Sequence, residues 1–196
     1  MLVVNATYRA ADDGVIFPTP VQDVVCAIDF AAAAARRRGI APGPVVVLGH
    51  SSGAQLAALA ALAGPQFRSG CPYPPVQVDG LIGLAGAYDV RSLADLAQAL
   101  FGVPPGQDPE LWHRGDPATW AAQRTGTRPL AVLLAHGDAD DQLSTTFTMS
   151  FGDTLLRAGH PVGLVIVPHA DHQSLYRPEV IEATIRDWVR TLPVRT

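Results

Sequence analysis

The chain has 196 residues, enough for one domain that buries roughly 70% of its unfolded surface. With 48% hydrophobic and 16% charged residues it has the composition of a buried sheet, which excludes a disordered chain. The formal net charge is −4 and all 14 of the Lys/Arg residues are arginine, so nothing in the charge balance calls for nucleic acid or an anionic membrane as partner.

The N-terminus, Met1 to Arg9, has no basic segment followed by a long apolar one, and no apolar run reaches the length of a membrane span. The expected location is therefore cytoplasmic. Residues 2–8 read as a short strand. Thr19-Pro20-Val21-Gln22 reads as a helix start, with Thr19 as cap, Pro20 in the first turn and Gln22 completing a capping box. Val21, Val24, Val25, Ile28 and Ala32 recur at helical spacing until Gly39, and Arg36, Arg37 and Arg38 complement the dipole at the helix end. Cys26 falls within that helix and reads as a buried free thiol; a disulfide to Cys71 has no support in the sequence.

Nearly continuous apolar runs at 45–49, 78–84, 130–136 and 162–168 read as strands covered on both faces. Helices fit between and after them at 52–63, 91–101, 145–158 and 179–191, the last opened by Pro178 with Ile181, Ile185, Trp188 and Val189 facing inward. This alternation predicts an α/β fold, a mainly parallel sheet with helices on both faces, in a single domain spanning residues 1–196. The stretch 102–128, rich in Pro, Gly and Trp, reads as an irregular cap segment over the sheet edge. Trp112, Trp120 and Phe147 either line a pocket or are ordinary core aromatics, and the second reading is the simpler.

Gly49-His50-Ser51-Ser52-Gly53 lies between the second predicted strand and an Ala/Leu-rich helix. G-x-S-x-G in that setting is a nucleophile elbow. The serine sits on a sharp, strained turn, and glycine at 49 and 53 is expected to remove side-chain collisions there. The turn sets Ser51 at a helix N-terminus, where the Ser52 N–H can donate to a developing oxyanion.

A serine hydroxyl needs a base, and the base needs an orienting acid. Candidates follow the next strand ends in the order acid, base: His136-Gly137-Asp138-Ala139-Asp140-Asp141, then His169-Ala170-Asp171-His172. Asp138, nearest the strand end, reads as a turn residue, which favours Asp140 as acid with Asp141 as alternative. His169 and His172 compete as base; His136 reads as a buried turn residue and Asp171 as a local turn or cap residue. No metal cluster is apparent, and Gly83-Leu84-Ala85-Gly86 lacks dinucleotide-binding spacing, so neither metal nor cofactor is expected.

Together these segments resemble the acetyl-esterase and kynurenine-formamidase branch of the α/β-hydrolases, close to the hormone-sensitive-lipase-like esterases. Tyr8-Arg9, Phe17-Pro18 and Gln22-Asp23-Val24 resemble its "YR…FP…DV". Gly49 to Ala57 is similar to "GHSAGAHLA", Gly86-Ala87-Tyr88-Asp89 to "G-x-YD", His136 to Asp140 to "HG-x-x-D", and Asp171-His172 to "DH". The resemblance covers essentially the whole chain and implies Ser51 as nucleophile, His172 as base and Asp140 as acid. Gln142-Leu143-Ser144 stands where the family has "x-V-P", and Gln55 where it has His. The family's "HGGG" loop precedes the segment that opens this chain. The resemblance thus implies an N-terminally truncated α/β-hydrolase fold, lacking one set of oxyanion donors and leaving two central strands unpartnered.

The expected activity is that of a serine hydrolase, of carboxylesterase or amidase type, acting on a small ester or amide through an acyl-enzyme on Ser51. Two alternatives stand beside it: an inactive fragment of such an enzyme, and a non-catalytic module that pairs its open strands with another chain or forms a homodimer.

Overall fold

The computed structural model describes residues 1–123 and 128–193. Four positions of the expected 102–128 segment therefore lie outside the described residues. The sheet has four parallel strands in the order β1 (Val46–His50), β2 (Gly80–Leu84), β3 (Ala131–Gly137) and β4 (Val162–Val167). Val47 pairs with Leu81, Leu81 with Val132, and Leu134 with Leu164, so one register runs across the sheet. Each of the four expected strands forms within two residues of its predicted bounds; β2 and β3 are covered on both faces as expected, whereas the edge strands β1 and β4 leave Leu48, Leu164 and Ile166 exposed.

Side chains alternate between two packed faces. Val47, Leu81, Val132 and Leu134 pack against Ala54, Ala57 and Ala58 of α2 (Ser52–Phe67) and Phe151 and Leu155 of α6 (Thr145–Arg157). Ile82, Leu84, Leu133 and Ala135 pack on the other face, against α7 (Pro178–Arg190), where Ile181 is buried and Ile185, Trp188 and Val189 cover the rest. Outside α2 lies a further apolar layer from α1 (Thr19–Arg37), α3 (Ala94–Phe101) and α4 (Pro109–Arg114), centred on Val21, Leu59, Phe101 and Trp112.

Five local expectations are corrected. Residues 2–8 form no strand: they find no ladder partner, and Arg9 instead ties the segment to Asp23 through its main-chain N–H and its guanidinium. Among the described residues β1 is consequently paired on one side only, by β2, and Leu48 is 50% exposed. The capping box at Thr19 is absent: Thr19 is already helical and Pro18 holds the cap position without a side-chain bond. Helix α2 does not stop at 63 but continues, kinked at Ala63 ahead of Pro65, to Phe67.

The 102–128 segment is not irregular throughout. It contains α4 and α5 (Pro117–Ala121), whose first turns are capped by the Asp108 and Asp116 side chains. Asp-Pro supplies a cap and a first helical residue in both places, but five or six residues are too few to show periodicity. Trp112 stacks on Phe101 with ring centroids 4.2 Å apart, and Trp120 packs edge-on to Phe67.

The fifth correction concerns the cysteines. Cys26 and Cys71 form a disulfide, with Cα atoms 5.4 Å apart. Asp29, one turn after Cys26, accepts from the Arg68 guanidinium and the Val76 amide, and so folds the loop after α2 back onto α1. That long-range contact leaves no periodic trace. Closing a loop of 45 residues restricts the unfolded chain by about 4 kcal/mol on the chain-entropy account. Urea unfolding with reductant should show a loss approaching that size, and an unchanged midpoint would contradict it.

Candidate active site

The three candidate triad residues all follow C-terminal ends of strands, where ligands bind in open α/β sheets: Ser51 after β1, Asp140 after β3, His172 after β4. Ser51 has φ 54° and ψ −123°, a backbone conformation outside the ordinary regions for a residue with a Cβ. Its N–H donates to Leu84 O at 2.9 Å, which extends the β1–β2 ladder into the turn, and its carbonyl accepts from the Ala54 and Gln55 amides. The strained residue is thus fixed from both sides. A Cβ on Gly49 would overlap the Gly53 carbonyl and come within 2.6 Å of Ala54 N. A Cβ on Gly53 would meet nothing within 4 Å, so only the first glycine relieves a collision. The Ser52 and Gly53 amides open α2, where no intrahelical carbonyl can take them. The Tyr8 and Ser52 hydroxyls are 3.2 Å apart beside them.

Asp140 is saturated with donors. Its Oδ1 accepts from the Gln142 and Leu143 amides at 2.9 and 2.8 Å, and its Oδ2 accepts from His172 Nδ1 at 2.7 Å. His136 Nε2 lies 3.1 Å from the same oxygen. Burial would raise the carboxyl's pKa, but the Leu143 amide, the His172 ring and the Gln142 amide outweigh it and hold Asp140 below the usual carboxylate range. His172 is buried, and its Nδ1–H points at the acid, which leaves Nε2 as the basic nitrogen of the neutral ring.

The competing candidates have other occupations. His169 is on the exposed turn after β4 with φ 60°, and its N–H donates to Asp138 Oδ1 at 2.6 Å, so Asp138 ties the turn after β3 to the turn after β4, where a bond within its own turn was expected. Asp171 accepts from the Gln173 and Ser174 amides, a local turn as expected. Asp141 is exposed.

Sequence reasoning missed two supporting histidines. His136, fully buried at the end of β3, has Nε2 against two acceptors, Leu143 O at 3.0 Å and Asp140 Oδ2. Nε2 therefore carries the hydrogen, and Nδ1 accepts from the Thr148 hydroxyl at 2.6 Å. His136 stands four positions before Asp140, the one signal in the sequence that could have linked them. His50 donates from Nε2 to His172 O at 2.8 Å and packs between the His172 and Tyr176 rings. Burial lowers its pKa despite that bond.

Ser51, Ser52 and His172 line one cavity of ≈ 540 Å³. Trp112, Trp120 and Phe147 do not line it, and neither does any described residue of 102–128. Trp112 and Trp120 belong to the apolar layer outside α2, Phe147 is half-buried outside the core clusters, and the cap expected over the site is not formed by the described part of that segment. Gln55, where the resemblance has His, donates to Gly115 O at 3.0 Å and faces the cavity. Among the described residues no three His, Cys, Asp or Glu side chains gather as metal ligands would, and no helix is long and apolar enough to cross a membrane.

A parallel sheet with helices on both faces and an elbow serine at the end of a strand define the α/β-hydrolase fold. Residues 1–155 match the family model of BD-FAE, and the chain belongs to that α/β-hydrolase-type family. Solved structures of the same fold include a truncated form of a carbohydrate esterase from gut microbiota, at TM-score 0.78 and 19% identity, over 93% of this chain and 71% of that one. An esterase from the Planctomycetes species Thermogutta terrifontis, with propionate bound, aligns at TM-score 0.69 and 19% identity over 94% of this chain and 66% of its own. An acetyl ester-xyloside bifunctional hydrolase from Caldicellulosiruptor lactoaceticus aligns at TM-score 0.69 and 23% identity, over 93% and 66%. This chain thus spans about two thirds of these proteins' length. No match to it is found among curated proteins.

Proposed function

We propose that this protein is a serine hydrolase that cleaves small carboxylic esters or amides through an acyl-enzyme on Ser51. One observation carries the reading: a strained serine at the end of β1 and a buried His172 paired with Asp140 line the same cavity through Ser51 and His172. In the first step His172 Nε2 takes the Ser51 hydroxyl proton as Oγ bonds to the acyl carbon. The Ser52 N–H donates to the oxyanion that forms. The intermediate collapses, the bond to the leaving oxygen or nitrogen breaks, and that atom takes the proton from His172. Water, deprotonated in turn by His172, then releases the acid and restores Ser51. Asp140 holds the His172 ring in the tautomer with a basic Nε2, and the Gln142 and Leu143 amides hold Asp140. The family assignment and the esterases among the similar structures support this reaction class. For location, the Cys26–Cys71 bond favours an oxidising compartment over the cytoplasm expected from the N-terminus.

The test is turnover of p-nitrophenyl acetate by the chain beside Ser51→Ala. Turnover that disappears in the variant is expected, with a loss of at least about 10³-fold; equal turnover by the two overturns the proposal.

A further inference from the structure

Leu93, Leu96, Ala97 and Leu100 recur at the i, i+3, i+4, i+7 spacing of a stripe that normally faces a core. In this helix the core covers the stripe only in part: Ala97 and Leu100 pack at the edge of the apolar layer outside α2. Phe101 is the only buried residue of α3, and Leu96 is 71% exposed. All four stripe residues also line the cavity that holds Ser51 and His172, and Leu56 and Val90 continue the same wall. Among the described residues no Asp, Glu or Arg side chain lines that cavity. Two of its polar side chains are already engaged, Gln55 with Gly115 O and Tyr8 with Ser52.

We propose that the α3 stripe is an acyl-chain site and that the substrates are esters of unbranched, medium-chain fatty acids. This rests on the reading of Ser51 as nucleophile. Leu93 to Leu100 runs about 10 Å along the helix axis, the length of an extended acyl chain of about eight carbons. An acetyl group would reach only the Ser51 end and leave the leucines in water, and a charged or sugar-like acyl part would find no partner along them. Hydrolysis breaks the ester's acyl carbon–oxygen bond. The alcohol leaves with the proton from His172, and water then releases the fatty acid from Ser51. Each methylene moved from water to this wall should raise kcat/KM by up to roughly fourfold.

The experiment measures kcat/KM for p-nitrophenyl acetate, butyrate, hexanoate and octanoate, each below its micelle concentration, with the chain and with Leu96→Asn. Leu96 is largely solvent-exposed, so the variant should fold, which circular dichroism checks. Values rising from acetate to hexanoate or octanoate are expected, with the octanoate-to-acetate ratio falling about tenfold in Leu96→Asn. Values highest for acetate, or a ratio that Leu96→Asn leaves alone, overturn the acyl-chain site and leave Ser51 as nucleophile. The chain-length profile of the unaltered chain decides even if the variant misfolds. No turnover of any ester overturns the proposed function and this inference together.

Discussion

Asp140→Asn is expected to lower kcat on p-nitrophenyl acetate by about 10⁴-fold while the chain stays folded. Asparagine keeps an oxygen for the Gln142 and Leu143 amides, so the turn after β3 survives. Its NH₂ then stands where Oδ2 accepted from His172 Nδ1, with His136 Nε2 3.1 Å away. A donor facing His172 Nδ1 favours the tautomer protonated at Nε2, which cannot take the Ser51 proton. The same carboxylate has a pH signature. Its folded pKa is below its unfolded value, so its contribution to stability is present above the ordinary carboxylate pKa and is lost as pH falls through the lowered folded value. Asp140 therefore stays ionised through the neutral range, and an activity change there does not come from it. A loss under tenfold with native circular dichroism would contradict its role.

Gly49→Ala should abolish turnover and destabilise the fold by about 3 kcal/mol or more. The new Cβ would run into the Gly53 carbonyl and Ala54 N, both backbone atoms of the first turn of α2. They cannot retreat without moving Ser51, whose carbonyl accepts from two amides of that turn. Gly53→Ala is the contrast. Its Cβ enters open space within a helix, where alanine gains about 0.5–1 kcal/mol over glycine. Urea unfolding of both variants checks the difference, and equal midpoints would contradict this view of the elbow.

The glycine pair shows where sequence reasoning succeeds and where it stops. The G-x-S-x-G spacing identifies the turn, because strand, sharp corner and helix leave few residue types open at 49 and 51. It does not say which glycine meets the collision, since that depends on how α2 leaves the turn. The four strands were readable because each is an aliphatic run long enough to cross a two-sided sheet. Residues 2–8 have a similar composition but no neighbour to pair with, and a strand needs its ladder as much as its propensity. Asp140 and His172 were readable from their order after β3 and β4. His136 and His50 were not, because their partners are a carboxylate oxygen and a backbone carbonyl brought close only by folding. The Cys26–Cys71 bond has the same origin: Asp29 and Arg68 join two segments that no local pattern connects.

The central claim is that Ser51 carries the acyl group, and the most direct measurement is the mass of that residue's peptide after reaction with an alkyl fluorophosphonate. The account predicts one phosphonyl group per chain, on the peptide that contains Ser51, and none on the Ser51→Ala protein. A folded chain left unmodified, or one modified at another serine, would contradict it.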